Sequence, residues 1–178
     1  MKYKAYITLI LLSLIFPSKI MDNTSLRMKE LIPNFIDMEH KIFDLKPLYK
    51  KTKNVVNQKF FREEVNTWKI QKNDSTYYYG ILDNVKGKSM PITFLAIFDD
   101  TGTIFDVSII KYREAYGGEI RGKNWLKQFI GYTDTSNYRI GDGIHAISGA
   151  TISVYSISKG IHKLTLIIND IIESFNEK

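Results

Sequence analysis

A chain of 178 residues with a net charge of +6, 44% hydrophobic and 25% charged, suits one ordinary domain with an added segment; it excludes wholesale disorder and a pair of full catalytic domains. The absence of cysteine excludes disulfides, iron–sulfur clusters, zinc ribbons, a thiol nucleophile and a lipidated cysteine anchor. The three histidines, His40, His145 and His162, are too widely spaced for a histidine-rich metal site, so no metal is expected.

The chain opens with Lys2 and Lys4, followed by an apolar run over residues 5–16 that Pro17 ends. A basic start before a short apolar core is the layout of an export signal. Twelve helical residues would rise about 18 Å, short of the roughly 30 Å hydrocarbon core, so a conventional membrane span is disfavoured. No small-x-small cleavage pattern follows, and residues 1–21 are read as an export signal or a retained anchor. The expected location is outside the cytoplasm, in a periplasm or at the outer face of the cytoplasmic membrane.

Residues 22–75 read as a mainly helical, partly irregular extension. Leu26, Leu31, Phe35, Met38 and Ile42 recur at three- to five-residue spacing, with Pro33 interrupting, and Trp68 and Ile70 suggest a strand. The stretch holds 11 basic and 8 acidic side chains, with Lys46, Lys50, Lys51, Lys53 and Lys59 close together. An excess of three without a recognised binding pattern reads as a solvated face, and no nucleic-acid partner is expected.

From Tyr77 the pattern becomes β. Strands are predicted at residues 77–82, 92–98 and 103–112, joined by a turn at Lys86, Gly87 and Lys88 and by a hairpin turn at Asp99, Asp100, Thr101 and Gly102. In the last strand Ile104, Asp106, Ser108 and Ile110 alternate with Phe105, Val107 and Ile109, which predicts a sheet covered on one side. Val154, Ile157, Ile161, Leu164, Ile168 and Ile171 then form one helical apolar stripe. The expected fold is α+β: an antiparallel meander packed by a C-terminal helix over residues 76–178.

Two stretches carry candidate chemistry. Glu114, Tyr116, Gly117 and Gly118 follow the last strand, with Trp125 close behind; glycines let backbone approach a ligand, and Tyr116 and Trp125 offer flat rings. The second stretch, Ser148, Gly149, Ala150, Thr151, Ile152 and Ser153, opens the C-terminal helix. Taken alone, its hydroxyls read first as a helix cap and second as a phosphate site at a helix N-terminus. No triad or carboxylate pair has convincing spacing for acid–base catalysis.

Together, the order YREAYGG, WLKQFIG and SGATIS resembles the FMN-binding domain family, whose members include flavin-carrying subunits of the sodium-translocating NADH:quinone reductase and of the Rnf electron-transport complex. The similarity is greatest to small exported stand-alone members. In that family a flavin transferase attaches FMN through its phosphate to the threonine of a D-x-x-[ST]-G-A-T motif. The resemblance thus implies FMN as cofactor and Thr151 as its acceptor, with Ser148, Gly149, Ala150 and Ser153 around it and Glu114, Gly117, Gly118 and Trp125 on the flavin side. It also implies a flavin transferase and membrane redox proteins as partners, and electron transfer rather than a self-contained catalyst. The motif's leading acid is replaced by His145, and the nearest acid is Asp142. The alternative reading is a flavin-free binding or adaptor protein on the same fold.

Overall fold

The computed structural model describes residues 19–177; the apolar run at 5–16 lies outside them. The elements in chain order are helix α1 (Lys19–Leu31), strand β1 (Asp37–Asp44), helix α2 (Tyr49–Val56), strands β2 (Glu64–Gln71), β3 (Tyr77–Lys86), β4 (Pro91–Asp99) and β5 (Ile104–Lys111), and helices α3 (Lys123–Leu126), α4 (Thr151–Thr165) and α5 (Ile168–Asn176). The five strands form one antiparallel meander in the order β1-β2-β3-β4-β5.

The expected α+β architecture is present, with a helical N-terminal segment in α1 and α2. That same stretch also supplies β1 and β2, so the sheet continues unbroken across position 76, Gln71 facing Tyr77. The apolar spacing that runs from Leu26 to Ile42 spans two elements. α1 stops at Leu31, before Pro33; Asn34 takes a left-handed φ of 58°, and Ile36 N–H bonds the Gln71 carbonyl at 2.7 Å as the strand begins.

The expected one-sided sheet is corrected to one covered on both faces. Val65, Ile81, Phe94, Phe98 and Val107 pack beneath Val154, Ile157, Ile161 and Leu164 of α4 and Ile168 and Ile171 of α5. On the opposite face Trp68, Ile70, Leu82, Leu95 and Ile97 meet Met28 and Ile32, brought over by α1. Two covers explain why β4 is apolar at nearly every position rather than alternating.

Two further expectations change locally. Phe105 is an extra residue in β5: Ile97 faces Asp106 while Phe98 faces Ile104, so the strand bulges and Ile104 turns to the same face as Val107. The single C-terminal helix is two. Thr165 Oγ1 donates to the His162 carbonyl at 2.7 Å, crowding the Leu166 N–H that bonds the same oxygen at 3.3 Å, and α4 ends there. The predicted stripe nonetheless stays buried across the break.

Gly160 sets the distance between α4 and the sheet. A Cβ there would come within 2.6 Å of Val85 Cγ1 and 3.2 Å of Phe94. Beside it, Lys163 Nζ stands 3.1 Å from Asp83 Oδ2, a buried pair that ties α4 to β3 and that no sequence spacing announced.

Candidate functional site

The hairpin turn at Asp99 forms as predicted: Asp99 Oδ1 accepts from the Thr101 and Thr103 amides at 3.0 and 2.9 Å. It brings β5 back so that the chain leaving Lys111 runs past the start of α4. There Gly117 adopts φ 76°, and a Cβ on it would lie 2.8 Å from the Ala150 Cβ and 3.0 Å from the Tyr112 hydroxyl. Glycine is therefore required on two counts, conformation and space. This close approach joins the two stretches that the sequence marks, which are some thirty residues apart.

Tyr112 closes the junction. Its hydroxyl donates to the Tyr116 carbonyl at 2.6 Å and stands 3.2 Å from Ser153 Oγ, linking the glycine turn to the first turn of α4. Glu114 secures the third wall. Its carboxylate accepts from the Ser89 and Met90 amides at 2.8 and 3.0 Å, and these bonds hold its pKa below the ordinary carboxylate range. The β3–β4 turn is thereby held against the loop, and a side chain at Gly87 would collide with Glu114 Oε1.

The result is a cleft of about 430 Å³ lined by Lys88, Ser89, Glu114, Ala115, Tyr116 and the residues from Gly149 to Ser153. Thr151 sits at its mouth as the first helical residue of α4, exposed, with no hydrogen bond from its hydroxyl to any described residue. The expected hydroxyl cap is absent, because the N-cap position falls on Ala150 and no side chain caps the helix. The amides of Thr151, Ile152 and Ser153 consequently meet no acceptor among the described residues; the helix's first return bond is from Val154 to Ala150. Unsatisfied amides and the positive end of the helix dipole make this end of the cleft suited to an anion, and Lys88 lines the same cleft beside Glu114.

The predicted residues divide clearly. Glu114, Gly149, Ala150, Thr151 and Ser153 line the cleft, and Gly117 packs directly behind Ala150. Gly149 has φ 74°, a conformation that bends the chain into the helix start. Ser148 is outside the cleft lining, and Gly118, which begins a short 3-10 turn, is outside it too. Trp125 is buried against Phe129 and donates its indole N–H to the His145 carbonyl at 2.7 Å. That bond, with the His145 amide donating to Gln128 at 2.8 Å, positions the segment leading to Ser148. Trp125 therefore supports the loop and presents no face to the cleft.

Tyr112, Lys88 and Ser89 belong to the site without a signal of their own in the sequence. Tyr112 falls within the YREAYGG block, but its hydroxyl's partners come from the fold. Nothing local in the sequence joins Ser89 to a carboxylate twenty-five residues on; the only hint is Gly87, glycine where Glu114 passes.

Residues 87–165 match the family model of the FMN-binding domain, an interval that holds every wall of the cleft. This segment is an FMN-binding domain. Its cofactor is FMN, and the site has the features that a flavin mononucleotide needs: uncapped helical amides for the phosphate, and the ring of Tyr116, 85% exposed, at the rim. The comparison with curated proteins gives no match to the chain. Among the described residues, no group of side chains could hold a metal ion.

Proposed function

We propose that this protein is an exported flavoprotein that carries FMN covalently through Thr151 and passes electrons between partners at the outer face of the cytoplasmic membrane. The observation that carries the attachment is the state of Thr151: exposed, unbonded, and placed where the α4 amides converge on the cleft. A phosphate bound by those amides has the Thr151 hydroxyl as its nearest free oxygen nucleophile along the helix. Ser153 is held by Tyr112 and is buried.

FMN supplies one- and two-electron redox chemistry. The chain's own residues bind and orient. The first α4 amides neutralise phosphate charge, Tyr116 offers an aromatic face to the flavin ring, and Glu114 and Tyr112 keep the three walls of the cleft together. A tether suits an exported carrier, because micromolar binding is worth about 8 kcal/mol and does not survive dilution outside the cell. The basic, apolar start of the sequence supports export. The flavin transferase and membrane redox proteins are the partners this reading requires.

The test is the intact mass of protein made with and without a co-expressed flavin transferase. A gain of one FMN less one water, lost as the threonine oxygen joins the phosphate, is expected, and His145→Asp should raise the modified fraction if the transferase reads the motif's leading acid. An unchanged mass for both proteins, with FMN lost on denaturation, would overturn covalent attachment and leave a non-covalent flavoprotein.

A further inference from the structure

β1 is the first strand of the sheet and pairs with β2 on one side only. Asp37, Glu39, His40, Ile42 and Asp44 are exposed along it, and Met38, Lys41 and Phe43 are half-buried. Leu45, next in the same register, donates its amide to the Glu63 carbonyl opposite at 2.8 Å. Residues of an antiparallel pair alternate, so the odd-numbered residues of β1 turn their backbone groups toward β2. Met38, His40 and Ile42 turn theirs outward, where they meet no backbone partner among the described residues. Such an edge is a template for a further strand.

The side chains on this edge complement themselves. Successive residues alternate between faces. Met38, His40 and Ile42 share the face that α1 covers: Met38 packs on the Trp68 cluster, the His40 ring lies 5.0 Å from that of Trp68, and Ile42 is 63% exposed. Glu39, Lys41 and Phe43 share the other. There Phe43 packs on the main core, and Lys41 stands 3.4 Å from Glu39 and donates to the Ser174 carbonyl of α5 at 3.1 Å. Charges on an edge keep strands apart unless each meets its opposite.

We infer that β1 pairs antiparallel with β1 of a second copy of this chain, about a two-fold axis at His40, joining two five-stranded sheets into one. In that register His40 faces its own copy and Met38 faces Ile42, so the three outward-turned residues exchange backbone hydrogen bonds. Met38 and Ile42 then meet as apolar cross-strand pairs, and Glu39 faces Lys41 twice, because a two-fold interface is isologous. Sliding by two residues also keeps the outward groups opposed, but it sets Glu39 against Glu39 in one direction and Lys41 against Lys41 in the other. The charges thus select one register. β1 shares no residue with the FMN cleft, so pairing and flavin binding are separately testable.

The experiment is sedimentation of the full chain over a range of concentrations, as wild type, Glu39→Lys, Lys41→Glu and an equal mixture of the two variants. Wild type should shift toward dimer as its concentration rises. Each variant alone sets like charges opposite and should raise the dimer Kd about tenfold or more, and the mixture should restore it, since every basic position then faces an acidic one. Glu39 is exposed, and its replacement leaves the Lys41 contact with α5 in place, so Glu39→Lys should keep the wild-type melting temperature and flavin content and carries the test by itself should Lys41→Glu melt earlier. The chain has no cysteine, so a single introduced one reports the register. His40→Cys would stand about 5.5 Å from its copy between Cα atoms, within disulfide reach, and should cross-link under diamide; Ile42→Cys would stand about 14 Å from its own and should not. A monomer at every soluble concentration, a dimer indifferent to these charges, or equal cross-linking at the two positions would each overturn the inference.

Discussion

Gly117 is where the account is most exposed at the residue scale. With φ at 76° and Ala150 Cβ 2.8 Å from where its own Cβ would stand, Gly117→Ala strains the backbone and pushes the SGAT turn away from the glycine loop. The expected cost is about 1–3 kcal/mol by thermal or urea unfolding, with reduced flavin loading at temperatures where the protein remains folded. Gly118→Ala is the natural comparison. Its φ is not left-handed, and the nearest atom, an Arg121 nitrogen, is 3.8 Å away, so stability and loading should hardly change. Equal effects of the two substitutions would show that the loop does not depend on close approach. The sequence makes the pair of glycines visible but not their division of labour. Chain order reveals Thr151 and its neighbours, because an ordered set of short blocks is specific; it cannot reveal that Trp125 faces inward or that Tyr112 bridges to Ser153, since both depend on side-chain direction after folding.

Among the elements, α4 does two jobs, presenting Thr151 at one end and filling the core along its length. Gly160 governs the second. Alanine is the better helix former by about 1 kcal/mol. Here, however, a Cβ would press on Val85 and Phe94, and overpacking of that kind costs about 1–3 kcal/mol. Gly160→Ala is therefore expected to lower the melting temperature, and a rise would show that α4 can move off the sheet freely. The elements differ in how readable they are. β4 and the Asp99 turn are plain, the one from an unbroken apolar run and the other from its Asp-Asp-Thr-Gly signature. β1 is hidden: it is a largely exposed edge strand whose charges leave no clean alternation, and its few apolar residues continue the spacing of α1 by coincidence. The bulge at Phe105 and the break between α4 and α5 are invisible for another reason, being set by one unpaired residue and one hydroxyl.

At the scale of the whole molecule, the FMN-binding segment is only part of one continuous sheet. β1, β2 and β3 all lie outside the matched interval, yet β3 is hydrogen-bonded to β4 within it, and α1 covers its second face. Whatever the first residues do, they lead directly into that cover. The export proposal predicts that a reporter active only outside the cytoplasm, fused after Lys178, gives signal with the full chain and none when residues 1–18 are removed. Signal from the shortened chain, or from a cytoplasm-only reporter on the full one, would contradict export and remove the reason for a tether.

The central claim is the oxygen through which FMN is held, and in-gel flavin fluorescence under denaturing conditions tests it most directly. Wild type, Thr151→Ala and Ser153→Ala are made side by side with the flavin transferase. Thr151→Ala leaves no side-chain cap to lose and should remain folded, so its gel band should be dark while wild type and Ser153→Ala fluoresce. A fluorescent Thr151→Ala band, or loss of fluorescence in Ser153→Ala alone, would place the attachment on another residue and contradict the account.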